Sequence, residues 1–206
     1  MMQHRRISEQ EVKLMRARLF FSRDLYLTAI SWLILLCAFA SPVFAQTSEY
    51  TMKAIYLERF SRFIDWPKVA DIEDTSRPFI LTVIGENPFG ESLAAVFKDQ
   101  KILKKQVIIS YVDSVEHIDS CHMLFIASSE KNNIDHIIDR VKDLGVLTVG
   151  DTEGFAEKGV LINLYLAEGK VRFEVNEAAV KESEFNISYH LMRMAKIVNS
   201  KEEVKK

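Results

Sequence analysis

The stretch Gly150-Asp151-Thr152-Glu153-Gly154 has the residue types of a ligand loop. Glycines permit a left-handed backbone or close approach of a bound group, and the acids between them could ligate a cation or an amine. A second loop, Gly85-Glu86-Asn87-Pro88-Phe89-Gly90, has similar ingredients. The candidate ligand-loop residues are therefore Gly85, Asn87, Gly150, Asp151 and Gly154. Neither spacing fits a nucleotide fingerprint or a calcium loop. Each stretch also reads as a solvated turn, with Asn87 capping a helix that starts at Pro88 and runs to about Lys98.

Other chemistry-bearing side chains are scattered. His117, His122, His136 and His190 show no metal-ligand spacing such as i,i+4 on a helix. Cys121 and His122 are neighbours, so on a strand their side chains point to opposite faces and form no couple. Ser128-Ser129 lacks the Gly-x-Ser-x-Gly elbow. A hydrolase with residues that meet only in the fold stays open, but no catalytic residue, metal ligand or cofactor is assigned. Lys101, Lys104 and Lys105 precede a strand and read as a solvated edge, where lysines deter strand pairing.

The elements that position these residues begin after an export-like segment. Arg16, Arg18 and Arg23 form a basic n-region, Leu25 to Ala40 is a short apolar run, and Val43-Phe44-Ala45 offers small residues for a signal peptidase. The expectation is a signal peptide over 1–45, with Met15 an alternative start and Gln46 the first mature residue. The apolar run is short for a bilayer span, although a retained anchor is the alternative. Export out of the cytoplasm removes the chain from ATP and the chromosome, so kinase and nucleic-acid functions fall away. The charge agrees: 27 Lys and Arg against 29 Asp and Glu, net −2, give no basic footprint. Only Cys121 remains after cleavage, so no intrachain disulfide can form. It reads as a small buried hydrophobe, with an intermolecular bridge or redox-sensitive thiol as the alternative.

Residues 46–199 then read as one α/β domain, followed by a polar tail, 200–206. Residues 49–64 carry Ala54, Leu57, Phe60 and Ile64 at helical spacing, and Trp66-Pro67 ends that helix. Strands are expected at 79–84, 106–112, 122–127 and 146–149, with a helix at 132–144. A hairpin turns at Glu168-Gly169 between 159–167 and 170–176. Ile187, Leu191, Met194, Ala195 and Val198 predict a C-terminal amphipathic helix. This pattern predicts a three-layer domain with a mixed, mostly parallel sheet and an antiparallel edge.

Five blocks in order carry a family resemblance. They are Met52-Lys53-Ala54-Ile55-Tyr56 through Trp66-Pro67; Val83-Ile84-Gly85-Glu86-Asn87-Pro88-Phe89-Gly90; Cys121 to Ile126; Val146 to Asp151 with Gly154-Phe155-Ala156 and Gly159; and Val171 to Asn176 leading to Ile187-Ser188 and Leu191. Over about Tyr50 to Val198 the chain resembles the YfiR-like periplasmic proteins. The resemblance implies a non-enzymatic regulator. The namesake of the family binds the periplasmic part of an inner-membrane diguanylate cyclase, represses it and keeps cyclic di-GMP low. By that resemblance the partner here is an inner-membrane signalling protein, a cyclase or a kinase, with a periplasmic domain. Members with further cysteines differ from this chain.

The expected partner-binding residues are Arg62, Phe63 and Trp66 at the end of the first helix, and Asn176, Ile187 and Ser188 around the C-terminal block. The aromatic first helix is also a candidate face for a homodimer. A small-ligand receptor, with both glycine loops lining one pocket, is the alternative function.

Overall fold

The computed structural model describes residues 41–199, with side chains from residue 49 onward. Residues 1–40 of the expected export segment, and the tail from residue 200, lie outside the described part. No described helix is long and apolar enough to cross a membrane. The first element, α1 (Ser41–Arg62), inserts Ala54, Leu57 and Phe60 into the core with no solvent exposure. Those positions recur every three residues, so they share one face of the helix. Burying a Leu or Phe there contributes roughly 1.5–3 kcal/mol each. The helix stops at Arg62, two residues before the periodicity suggests. Ile64 and Asp65 leave it to form β1 (Ile64–Asp65), paired antiparallel with β8 (Asn186–Ile187).

Among the described residues, the central sheet has seven strands in the order β3-β2-β4-β5-β6-β7-β9. They are β2 (Phe79–Ile84), β3 (Val107–Val112), β4 (Met123–Ile126), β5 (Leu147–Gly150), β6 (Ile162–Ala167), β7 (Lys170–Asn176) and β9 (Lys196–Val198). Strands β3 through β6 run parallel, and β7 returns antiparallel to β6 through the Glu168-Gly169 turn. The antiparallel strand is not the edge: β9 lies parallel beside β7 and flanks it. All four residues of β4 and of β5 are buried, as expected of strands covered on both faces.

Alternation along the strands splits the core in two. Leu81, Val83, Met123, Phe125, Leu147 and Val149 pack with α1 and α2 (Ser92–Phe97) on one face. Ile84, Leu124 and Ile126 pack with α3 (Ile134–Val141) and with Phe155 on the other. This is the expected three-layer α/β domain.

Three local expectations are corrected. The helix after the 85–90 loop starts at Ser92, not Pro88; Asn87 Oδ1 instead accepts from Phe89 N–H at 2.9 Å, closing a turn. Asn176 caps an additional short helix, α4 (Glu177–Glu182), by accepting from Ala179 N–H at 2.9 Å. The C-terminal helix is confined to α5 (Tyr189–Met194), capped by Ser188, and the chain then extends into β9. Helical spacing overshot because Met194 is 63% exposed, and Ile197 follows as part of a strand.

Candidate functional site

The end of α1 is built by residues from both ends of the domain. Ser188 N–H donates to Phe63 C=O at 2.9 Å, and Asn186 Nδ2 donates to Asp65 Oδ2 at 3.1 Å. The β1–β8 ribbon thus places Arg62, Phe63 and Trp66 beside Ile187 and Ser188. Their roles differ. Trp66 is a wedge, edge-on to Phe79 at 5.5 Å and to Phe185 at 5.4 Å between ring centroids. Ile187 is buried, and Asn176 has no exposure at all. Asn176 Nδ2 donates to Ala156 C=O at 2.6 Å while its Oδ1 caps α4. As partner-contact residues, Ile187 and Asn176 are therefore corrected: both are interior, because the chain turns at these positions and needs them for packing and capping.

What faces outward at this end is Arg62, paired with Glu58, and Phe63, 42% exposed. A shallow depression beside Phe63 is completed by His190, Arg193 and Met194. On the other side of Phe63, a groove runs between α1 and α2 past Ile55, Arg59 and Val96. Tyr189 is 72% exposed, with the Arg193 guanidinium 5.8 Å above its ring. Sequence periodicity missed Met194, which it assigned to the interior, and gave no signal for Tyr189.

The two glycine loops both follow parallel strands, β2 and β5, with β4 between them. Between them stand Tyr50 and Lys53 of α1, Tyr50 touching both loops and Lys53 the second. Phe89 from the first loop packs edge-on against Tyr50 at 5.4 Å and Phe125 at 4.6 Å. The Tyr50 hydroxyl donates to Asp151 Oδ2 at 2.9 Å, and Lys53 Nζ donates to the same oxygen at 2.8 Å. Burial, followed by the charge of Asp151, holds the Tyr50 phenol well above the ordinary range. Asp151 Oδ1 is buried without a hydrogen-bond partner, as is Thr152 Oγ1.

Gly150 is required for close approach rather than for a turn. A Cβ there would lie 2.7 Å from Phe155 Cδ2. Beside it, the buried Asn163 holds the 150–154 loop by accepting from Thr152 N–H at 3.2 Å and donating to Thr152 C=O at 2.9 Å. It also donates to Glu174 Oε1 at 3.0 Å, and Lys196 Nζ donates to Glu174 Oε2 at 3.1 Å. This network ties the loop to β7 and β9.

The scattered nucleophiles and bases stay apart. Burial pushes the Cys121 thiol up to about 11, which suppresses the reactive thiolate. His122 stacks on Phe79 at 4.9 Å, and its Nδ1 accepts from Ile80 N–H at 2.9 Å. Ser129 Oγ accepts from Glu86 N–H at 2.9 Å. No described His is hydrogen-bonded to Cys121, Ser128 or Ser129. Among the described residues, no group of His, Cys, Asp or Glu is placed to hold a metal ion. Lys105 is not a solvated edge lysine: it is 1% exposed, with its ammonium directed at Asp71 C=O.

A family model described as YfiR/HmsC-like matches residues 50–196. The chain belongs to the YfiR/HmsC-like family. That match spans the end of α1, both glycine loops and the C-terminal ribbon. Among solved structures, the chain is similar to a conserved domain protein from Vibrio cholerae O1 biovar El Tor strain N16961. Identity is 12% and the TM-score 0.41, over 64% of this chain and 60% of that one. No curated protein matches.

Proposed function

We propose that this protein is exported by cleavage of residues 1–45 and acts in the periplasm as a non-enzymatic regulator. It binds the periplasmic part of an inner-membrane signalling protein, a diguanylate cyclase or a kinase, and shifts its output. The observation that carries this reading is membership of the YfiR/HmsC-like family over 50–196. The surface at the end of α1 supports it, since Arg62, Phe63, Tyr189 and Met194 are all exposed at a junction held by backbone hydrogen bonds. An aromatic, an arginine and a methionine on a rigid base are the residue types that anchor protein interfaces. Regulation requires that binding be tighter to one state of the partner than to the other.

The test is crosslinking in cells with a tagged, exported copy, beside the same copy carrying Arg62→Glu and Phe63→Asp. Cyclic di-GMP is measured in the deletion strain and after complementation. The expected result is a membrane protein bearing a cyclase or kinase domain, recovered with the wild type and lost with the variant. Deletion should also shift the signalling output that this partner controls. Identical recovery with both copies, together with unchanged output on deletion, would overturn the proposal.

A further inference from the structure

Strand β5 is apolar except at Thr148, and side chains alternate along it. Leu147 and Val149 pack on the α1 side, so Thr148 points to the opposite face, towards α3. There it lines the inner wall of a cleft of about 170 Å3 between α3, β5 and α4. Val141 and Val146 belong to one core cluster, while Leu161 and Ala179 pack with the other. The cleft is the gap where these two clusters meet. An apolar cavity of about 150 Å3 is enough to hold a benzene molecule. The apolar part of this cleft therefore takes a single ring.

The two ends of the cleft differ in polarity. At the inner end, Thr148 Oγ1 accepts from Leu161 N–H at 3.0 Å. A hydroxyl also carries one proton to donate, and this buried one meets no acceptor among the described residues. The inner end therefore offers a donor. The mouth is acidic. It lies at the C-terminal ends of α3 and α4, where helix carbonyls carry partial negative charge. Asp143 and Glu182 stand exposed beside it. The cation on the rim, Lys142, is bonded to Asp139 Oδ1 at 3.0 Å. Asp139 first, then Asp143 and Glu182, raise the pKa of that ammonium, so positive charge is favoured at this mouth.

We propose that this cleft binds a small primary amine with a one-ring body. The ring lies against Val141, Val146 and Leu161. The ammonium sits at the mouth between Asp143 and Glu182, and an acceptor atom at the inner end receives the Thr148 proton. Small-molecule sites have this build, an apolar lining with a few placed polar groups that fix orientation. An anion of the same shape would meet two carboxylates and two helix C-termini, so it is rejected. The cleft shares no residue with the exposed surface at the end of α1. It therefore stands whether or not that surface binds a membrane partner.

The test titrates the exported protein, purified from the periplasm, with tyramine, followed by calorimetry and by amide resonance shifts. Tyramine carries an amine, one ring and a phenol oxygen at the far end. It should bind, with shifts centred on Thr148, Leu161 and Ser183. The para-hydroxyphenylacetate anion, the same ring with a carboxylate, should not bind. Phenethylamine, which lacks the phenol oxygen, should bind more weakly than tyramine. Asp143→Asn with Glu182→Gln should raise the tyramine Kd by at least about tenfold. Both side chains are exposed, so circular dichroism should be unchanged in that variant. No binding at millimolar tyramine would overturn the proposal. So would shifts centred on another surface, equal binding of para-hydroxyphenylacetate, or a Kd unmoved by the double substitution.

Discussion

Lys53 Nζ sits 2.8 Å from Asp151 Oδ2 and 2.5 Å from Glu49 Oε1, with only 4% of the lysine side chain and 3% of the aspartate exposed. This ion pair joins α1 to the end of β5 across 98 residues of sequence. Its strength depends on completeness, because a buried charge that loses its partner costs more than the pair contributes. Lys53→Ala should therefore destabilise the fold by about 3–5 kcal/mol in denaturant unfolding. Replacing both partners, Lys53→Met with Asp151→Leu, should recover much of that loss. A neutral Lys53→Ala would show that the pair is solvated.

The Tyr50 phenol gives this same site an alkaline limit. Its pKa is raised in the fold, by burial and then by Asp151, so folding favours the protonated form. The contribution is fully present below the ordinary value of 10.0 and is lost as pH rises above it. Stability should decline above pH 10 in the wild type. Tyr50→Phe should flatten that decline, while lowering stability at neutral pH through the lost hydrogen bond. Thermal unfolding of both proteins across pH 8–11 checks it.

His122 should set a limit on the acid side. Burial, and then the neighbouring Lys105, lower its pKa below 6.5. Its Nδ1 is an acceptor for Ile80 N–H, so the fold requires the neutral ring. Stability is complete above about pH 6.5 and is lost as pH falls toward the folded-state value. His122→Gln should be less stable at neutral pH, yet should lose less on moving from pH 7 to pH 5. A parallel decline in both proteins would assign the acid sensitivity elsewhere.

Phe63 and Trp66 are three residues apart and should behave oppositely. Trp66→Ala removes a ring lodged between Phe79 and Phe185 and should cost about 3 kcal/mol or more. Phe63→Ala removes a half-exposed ring and should cost under about 1 kcal/mol. Partner binding should show the reverse, surviving in whatever Trp66→Ala protein folds and failing in Phe63→Ala. Unfolding curves paired with pull-downs of the membrane partner separate the two roles.

Cys121 should be silent towards thiol reagents in the native state. With its pKa near 11, about one molecule in a thousand carries the thiolate at pH 8. Modification should therefore track unfolding, and Cys121→Ala should leave the signalling output unchanged. Rapid labelling of folded protein would place the thiol at the surface.

The central strands were legible because burial on both faces leaves unbroken apolar runs such as Phe79–Ile84 and Met123–Ile126. The first helix was legible because Ala54, Leu57 and Phe60 recur at its period. Periodicity carries a further signal at Lys53. Lys53 stands three residues before Tyr56 and four before Leu57, close to the inward stripe, and a cation there demands a buried acid. What sequence could not give was depth. Asn176 and Ile187 look like surface residues in a C-terminal block, but a helix cap and a two-residue ribbon draw them inside. The helix ends at Met194 because the chain extends into β9, and Tyr189 and Met194 are left facing outward. Ribbon pairing between positions 64 and 187 leaves no trace in local spacing.

That ribbon, with β7 before it, also sets when the fold can close. A chain is made and delivered from its N-terminus, so α1 arrives first, yet Phe60 is covered by Phe173 and Asp65 is held by Asn186. Strands β2, β4 and β5 can pack on α1 earlier, but the cover over Phe60 stays incomplete until Phe173 emerges. A nascent or truncated chain thus advertises its own incompleteness through a greasy first helix. Such exposed surface is what chaperones cover in incomplete chains, so the late strands finish the enclosure of the first helix.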